Sequence, residues 1–291
     1  MELLLALDFS AAGGALVQEI AGRPWPHGTA VTVLHVVEPS KLRDIPHLVE
    51  RVTGEAEKLV AHAAAALQAS GIGAATLVLS GDPKKVIVDH ARHMAADFVV
   101  VGPHGGSKLA RFLLGGVART VVRFASCSVE VVRSPLTPRA AGTGMKILLA
   151  TDGARSSLGA ARSVAERPWP AGTEVRILNA VELVVPLFEA PYFDPGAMEP
   201  LREEAMERSQ QAMAATEKII ADAGLPVSEA LSVLLESAKE VILKEASEWG
   251  ADLIVVGSHG HHGIGDFLLG SVSEAVAMHS ECSVEVIRRS E

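Results

Sequence analysis

The chain has 291 residues, 48% hydrophobic and 21% charged, which is enough apolar material for a large core and excludes a mainly disordered chain. Aromatics reach only 4%, so the core is aliphatic, as in buried parallel strands covered by Ala-rich helices, and the two cysteines exclude a disulfide scaffold. The net charge is −9, and an acidic chain without a basic stripe argues against nucleic-acid binding.

Glu2–Leu7 is an apolar run that ends at Asp8. No basic flank precedes it, so a cytoplasmic protein is expected rather than a secreted one. Ala11–Ala21 reads as helix, Ala30–Val37 as strand, Leu48–Gln68 as helix and Ala74–Ser80 as strand. The uncharged stretch Ala61 to Ser80 is about long enough to span a bilayer, but Gly71 and Gly73 divide it into a helix end and an alternating strand, and no membrane partner is expected. Asp82-Pro83 opens the next helix, with Pro in the first turn where its missing N–H costs nothing; Lys84-Lys85 reads as a solvated face of that helix. Phe98–Val101, Arg111–Phe124 and Val129–Arg133 complete a strand, a helix and a strand.

The chain then repeats itself. Arg23-Pro24-Trp25-Pro26-His27-Gly28-Thr29 returns as Arg167-Pro168-Trp169-Pro170-Ala171-Gly172-Thr173, and Asp8 as Asp152, both displaced by 144 residues. Asp97-Phe98-Val99-Val100-Val101-Gly102 returns as Asp252-Leu253-Ile254-Val255-Val256-Gly257, displaced by 155, and Cys127-Ser128-Val129-Glu130-Val131 as Cys282-Ser283-Val284-Glu285-Val286. The difference of 11 places an insertion in the second copy, within Pro186 to Pro200. The matching strands are Lys146–Ala150, Glu174–Val181, Ser228–Leu235, Leu253–Val256 and Val284–Arg288. Strands alternating with helices imply parallel pairing and right-handed crossovers. The expected fold class is α/β: two tandem, doubly wound, Rossmann-like domains of five strands each, at residues 1–139 and 145–291, joined by a linker at 140–144. The first 144 residues carry 14 basic and 12 acidic side chains, net +2; the rest carry 12 and 23, net −11.

Ligands of such sheets lie beyond the carboxyl ends of the strands, where two turns stand out in each copy. Asp8 and Asp152 end the first strands; such an Asp caps the following helix, accepts from a sugar hydroxyl or organises a metal. After the fourth strands come Gly102-Pro103-His104-Gly105 through Gly115-Gly116, and Gly257-Ser258-His259-Gly260 through Gly270-Ser271. Glycines let backbone N–H groups converge on an anion, and the next helix offers its free N–H groups and positive dipole end. A phosphate chain suits that place; a turn built only for tight packing is the alternative.

Gly257-x-x-Gly260, nine residues, then Gly270-Ser271 resembles the ATP-binding motif of the universal stress protein family, and the resemblance extends over nearly the whole chain. It implies ATP, with Mg²⁺, as ligand. Asp152 and Asp8 would meet the ribose or a phosphate-bound metal, Val36 and Ala180 would offer backbone groups to adenine, and Val101 and Val256 would line base and ribose. Gly102, Gly105, Gly115, Gly257, Gly260 and Gly270 would shape the phosphate cradle, and Ser271 would bond a terminal phosphate. The first copy has Gly116 in place of Ser271, and Lys108 and Arg111 where the second has Gly263 and Asp266; the second copy matches better and ranks first. The resemblance also implies that the last strands pair the two copies as a pseudo-dimer within one chain, with a homodimer of chains as a further expectation.

His259, His261 and His262 read as loop histidines rather than a metal site, and Cys127 and Cys282 as small buried thiols. The sequence holds no P-loop, nucleophile elbow or catalytic triad. A nucleotide-dependent stress sensor or regulator is therefore expected, not an enzyme. A slow ATPase or phosphotransferase and a structural module with empty clefts are the rivals.

Overall fold

The structure, a computed structural model, describes residues 1–10, 12–43, 45–103, 114–133, 143–181, 198–234, 237–260 and 269–288. The first half contains β1 (Glu2–Leu7), α1 (Gly13–Gly22), β2 (Ala30–Val37), α2 (Pro46–Ala69), β3 (Gly73–Ser80), α3 (Pro83–His93), β4 (Phe98–Val101), α4 (Gly116–Phe124) and β5 (Ser128–Val131). The second contains β6 (Lys146–Ala150), α5 (Arg155–Ala165), β7 (Glu174–Val181), α6 (Met198–Asp222), β8 (Val227–Leu234), α7 (Ala238–Trp249), β9 (Leu253–Gly257), α8 (Ser271–His279) and β10 (Ser283–Ile287). The expected alternation is present. The helix expected from Arg111 is described from Gly116 onward. Gly105, His104, Lys108, Arg111, His261, His262, Gly263, Asp266, most of the Pro186–Pro200 insertion and linker residues 140–142 lie outside the described residues. The Ala61–Ser80 stretch divides into the end of α2 and β3, and among the described residues no helix is long and apolar enough to cross a membrane.

All ten strands form one sheet in the order β3-β2-β1-β4-β5-β10-β9-β6-β7-β8. Pairing is parallel within each half, and the halves meet where β5 runs antiparallel to β10, with Glu130 opposite Glu285. Each last strand thus covers an edge that the other half would expose. Helices α1, α2, α5 and α6 pack on one face through residues such as Leu16, Val60, Ala160 and Met213. Helices α3, α4, α7 and α8 pack on the other through Ile87, Val121, Ile242 and Val276. Both faces are covered, so the central strands β4, β5, β9 and β10 are buried throughout; β4 and β9 accordingly read as continuous apolar runs, whereas β5 and β10 each bury a glutamate, Glu130 and Glu285.

The repeated Arg-Pro-Trp-Pro turns explain themselves here. Trp25 Nε1 donates to the Ile20 carbonyl at 2.8 Å and Trp169 Nε1 to the Val164 carbonyl at 2.7 Å. Gly28 and Gly172 hold φ near +80°, where a side chain would be strained. Each turn then delivers an arginine beneath the central strand pair. Arg167 grips Glu285 with both terminal nitrogens, at 2.6 and 2.5 Å. Arg23 pairs with Glu130 and lies 3.4 Å from Glu285. Both carboxylates are fully buried, and each guanidinium lies over its own tryptophan, 4.4 Å from the ring centre.

The last strands also reach across. Arg133 donates to the Ala277 carbonyl at the end of α8 at 2.8 Å, and Arg288 to the Val122 carbonyl at the end of α4 at 2.6 Å. Cations suit a helix C-terminus. Cys127 is buried, and that burial pushes its thiol up to about 11, in keeping with a packing role.

Candidate functional site

The strand order turns back between β1 and β4: β2 lies on one side of β1, and the chain returns on the other through β4 and β5. Helices leave the sheet in opposite directions there and open a crevice at the carboxyl ends. A cleft of about 640 Å³ occupies that place in the first half, within the size range of small-molecule sites. Its walls come from the end of β1 (Asp8, Phe9, Ser10), the end of β2 (His35, Val36, Glu38), the end of β4 (Val101, Gly102) and the start of α4 (Gly115, Gly116). Six of the sequence-predicted residues therefore come together: Asp8, Val36, Val101, Gly102, Gly115 and Gly116.

The strand-end aspartates hold the turns that follow them and do not cap the next helix: Ala12 and Ala154 stand at the N-cap positions of α1 and α5, neither with a side-chain cap. Asp8 Oδ1 accepts from the Ser10 backbone N–H at 3.0 Å and from its hydroxyl. Asp152 Oδ1 accepts from the Ala154 N–H at 3.0 Å and the Ser157 hydroxyl at 2.8 Å. Gly115 starts α4 with no side-chain cap. The first intrahelical bond is from Arg119 N–H to the Gly115 carbonyl, 2.9 Å, so the amides of Gly116, Val117 and Ala118 precede the helix's own bonding and are oriented toward the cleft end of the sheet.

Sequence reasoning missed three residues of this cleft. His35 is buried, and its Nδ1 lies 2.9 Å from the Leu7 carbonyl. Burial lowers its pKa, against smaller opposing effects of that contact and of Asp8. Phe9, 54% exposed, packs over it with ring centres 4.5 Å apart. Lys84 is exposed, as expected of a solvated face shared with Lys85, and it also lines the cleft; a Cβ on Gly116 would meet its Cε at 3.5 Å and its Nζ at 3.7 Å. Lys85 does face solvent and pairs with Asp89 at 2.5 Å. A signal for Lys84 existed: helices of a parallel sheet start at the carboxyl end of the strands, so a first-turn side chain of α3 lies near the crevice.

In the second half the described start of the loop folds onto the Asp152 turn. Ser156 Oγ donates to the His259 carbonyl. A Cβ on Gly260 would lie 2.6 Å from Asp152 Oδ2, and one on Gly257 would lie 2.6 Å from the Ser156 backbone. Gly270 starts α8, and its N–H donates to the Ser258 carbonyl at 2.8 Å. Asp152, Gly257, Gly260, Gly270 and Ser271 thus gather around one turn, with Ala180 and Val256 at the ends of β7 and β9. Here the glycines are needed for close backbone packing. Among the described residues no group of three His, Cys, Asp or Glu side chains is placed to hold a metal.

Residues 1–133 and 145–288 each match the model of the universal stress protein family. Universal stress protein Rv2005c of Mycobacterium tuberculosis is 34% identical over 198 residues, covering 67% of this chain and 63% of that protein; the chain thus spans less than two thirds of that relative's length. A universal stress protein of Mycolicibacterium smegmatis is 26% identical over 306 residues, covering 98% and 96%. The crystal structure of an Archaeoglobus fulgidus universal stress protein matches the fold with a TM-score of 0.69 at 23% identity, covering 100% of this chain and 97% of that one.

Proposed function

The chain belongs to the universal stress protein family, and from that premise we propose that it binds an adenine nucleotide, ATP in the first instance, in the cleft of its first half. The observation that carries the reading is the cleft itself: about 640 Å³ at the β1–β4 reversal, with the uncapped start of α4 at one end and the end of β2 at the other. The residues fit the group. The amides of Gly116 to Ala118 suit phosphate, and the backbone of Val36, Val101 and Gly102 offers an apolar wall with hydrogen-bonding edges for base and ribose. Magnesium would be held chiefly by the phosphates, with Asp8 as the protein's carboxylate, because Glu38 is engaged by Lys41 at 2.7 Å.

This reverses the ranking from the motif alone. Ser271 completes the motif in the second half, but the described loop there is packed on Asp152. The second cleft is the weaker site in this reading. Binding serves regulation rather than turnover, in the cytoplasm, and a surface read by a partner changes when nucleotide orders the cleft. Calorimetry with ATP tests the assignment. Gly116→Asp places a carboxylate at the start of α4, where it suits the helix dipole but repels phosphate. It is expected to weaken ATP at least about tenfold, a cost of about 1.4 kcal/mol, while Ser271→Ala leaves the tighter site unchanged. The reverse pattern moves the site to the second half, and an absence of heat with any adenine nucleotide removes it.

A further inference from the structure

We propose that Lys84 is the residue with which the first cleft reads phosphate charge, in the half where Gly116 leaves the start of α4 without the hydroxyl that Ser271 carries; the nucleotide part of this rests on the reading of the cleft given above.

The geometry begins with α3. Asp82 caps it, with Oδ1 accepting from the Lys84 N–H at 3.0 Å, and Pro83 fixes the first turn. The two lysines that follow then part. Lys85 turns along the helix to Asp89. Lys84 reaches across to α4, where its Cε and Nζ lie 3.5 and 3.7 Å from the point a Cβ on Gly116 would occupy. Among the described residues no carboxylate pairs with the Lys84 ammonium.

A cation at that place is unfavourable by itself. The start of a helix carries the positive end of its dipole and disfavours a positive side chain. Stability alone favours an acidic residue there. An anion seated between the Gly116 amide and the Lys84 ammonium reconciles the two, since both then face negative charge. The small side of Gly116 leaves the approach open.

The chemistry differs from a hydroxyl in a measurable way. A hydroxyl makes one hydrogen bond whatever charge the phosphate carries. An ammonium gains with each added phosphate charge and loses with added salt. The first cleft is therefore a polyphosphate-selective site, graded ATP over ADP over AMP, and its grading is carried by Lys84.

Lys84→Gln keeps length and a donor but removes the charge, and Lys85→Gln is the matched control on the outer face. Calorimetry with ATP, AMP and inorganic triphosphate at low and high salt reads the outcome. Lys84→Gln is expected to weaken ATP and triphosphate about tenfold, the scale of a charge-assisted hydrogen bond. It is expected to change AMP by less than about twofold and to flatten the salt dependence, while Lys85→Gln matches wild type. An unchanged ATP-to-AMP ratio in Lys84→Gln, or an equal loss in Lys85→Gln, overturns the proposal. Triphosphate binding that depends on Lys84 without any binding of ATP upholds the anion site and overturns the nucleotide reading instead.

Discussion

At the ends of β2 and β7 the two halves make the same bridge with different groups. In the first, His35 Nδ1 meets the Leu7 carbonyl at 2.9 Å, with Phe9 packed above it. In the second, Asn179 donates to the Thr151 carbonyl at 2.7 Å and accepts from Ser209 at 2.7 Å, so helix α6 is tied to the strand end. Thr151 also meets Thr216 of α6 at 3.0 Å. The second strand end is thus a closed polar network, while the first is capped by an exposed aromatic beside an open cleft. Bonds that hold the scaffold are kept in both copies: the strand-end bridge, the aspartate-held turn and the tryptophan turn. Groups at the strand-one and strand-four turns, two of which line the first cleft, have diverged, with Gly116 against Ser271 and Phe9 against Gly153.

The shared features should be the costliest to break. Arg167→Ala strips a buried carboxylate of its two-pronged partner, and about 3–5 kcal/mol of stability should be lost in urea unfolding. A loss under about 1 kcal/mol would mean that the charges between the halves are solvated.

The glutamates themselves should differ despite their symmetry. Burial pushes the Glu130 carboxyl up to about 8 against the pull of Arg23, with Glu285 adding to the rise. For Glu285, burial is outweighed by the Arg167 fork, and its pKa is lowered. Between about pH 4.5 and 8 the folded chain therefore holds a proton on Glu130 that the unfolded chain lacks. Stability should fall as pH rises through that window, by at most about 1.4 kcal/mol per unit. The Glu285 contribution has the opposite sign and fades as pH drops below the ordinary glutamate range. Glu130→Gln mimics the protonated form and should flatten the decline above pH 5; a decline of unchanged slope would place the proton elsewhere.

The smallest effect separates the two loops. Gly260→Ala forces its new methyl onto Asp152, whose other oxygen is already pinned by Ala154 and Ser157, and should cost about 1–3 kcal/mol, the scale of overpacking where the neighbour cannot give way. Gly116→Ala meets only the flexible end of Lys84 and should stay within about 0.5 kcal/mol. Thermal unfolding of the pair checks this, and equal shifts would contradict the packed-against-open contrast.

Much of the fold was legible because the duplication is written in the sequence: two Arg-Pro-Trp-Pro turns, two fourth strands and two Cys-Ser-Val-Glu-Val strands. The glycines after the fourth strands also located the crevice. What those repeated residues do for one another was not legible. Arg23 and Glu130 are 107 positions apart, and their partnership depends on β5 meeting β10. Lys84 and Gly116 meet through the packing of α3 on α4, which no local pattern encodes. Completeness of the motif ranks the second copy first, because a motif records residue types and not how the described start of the loop, Gly257 to Gly260, packs on the Asp152 turn.

The most direct test of the account is a crystal structure grown with excess ATP and magnesium. The account predicts a nucleotide between β1 and β4 of the first half, with its phosphates against the Gly116 amide and the Lys84 ammonium. Nucleotide seated only beside Ser271, with the first cleft lacking it, would contradict that claim.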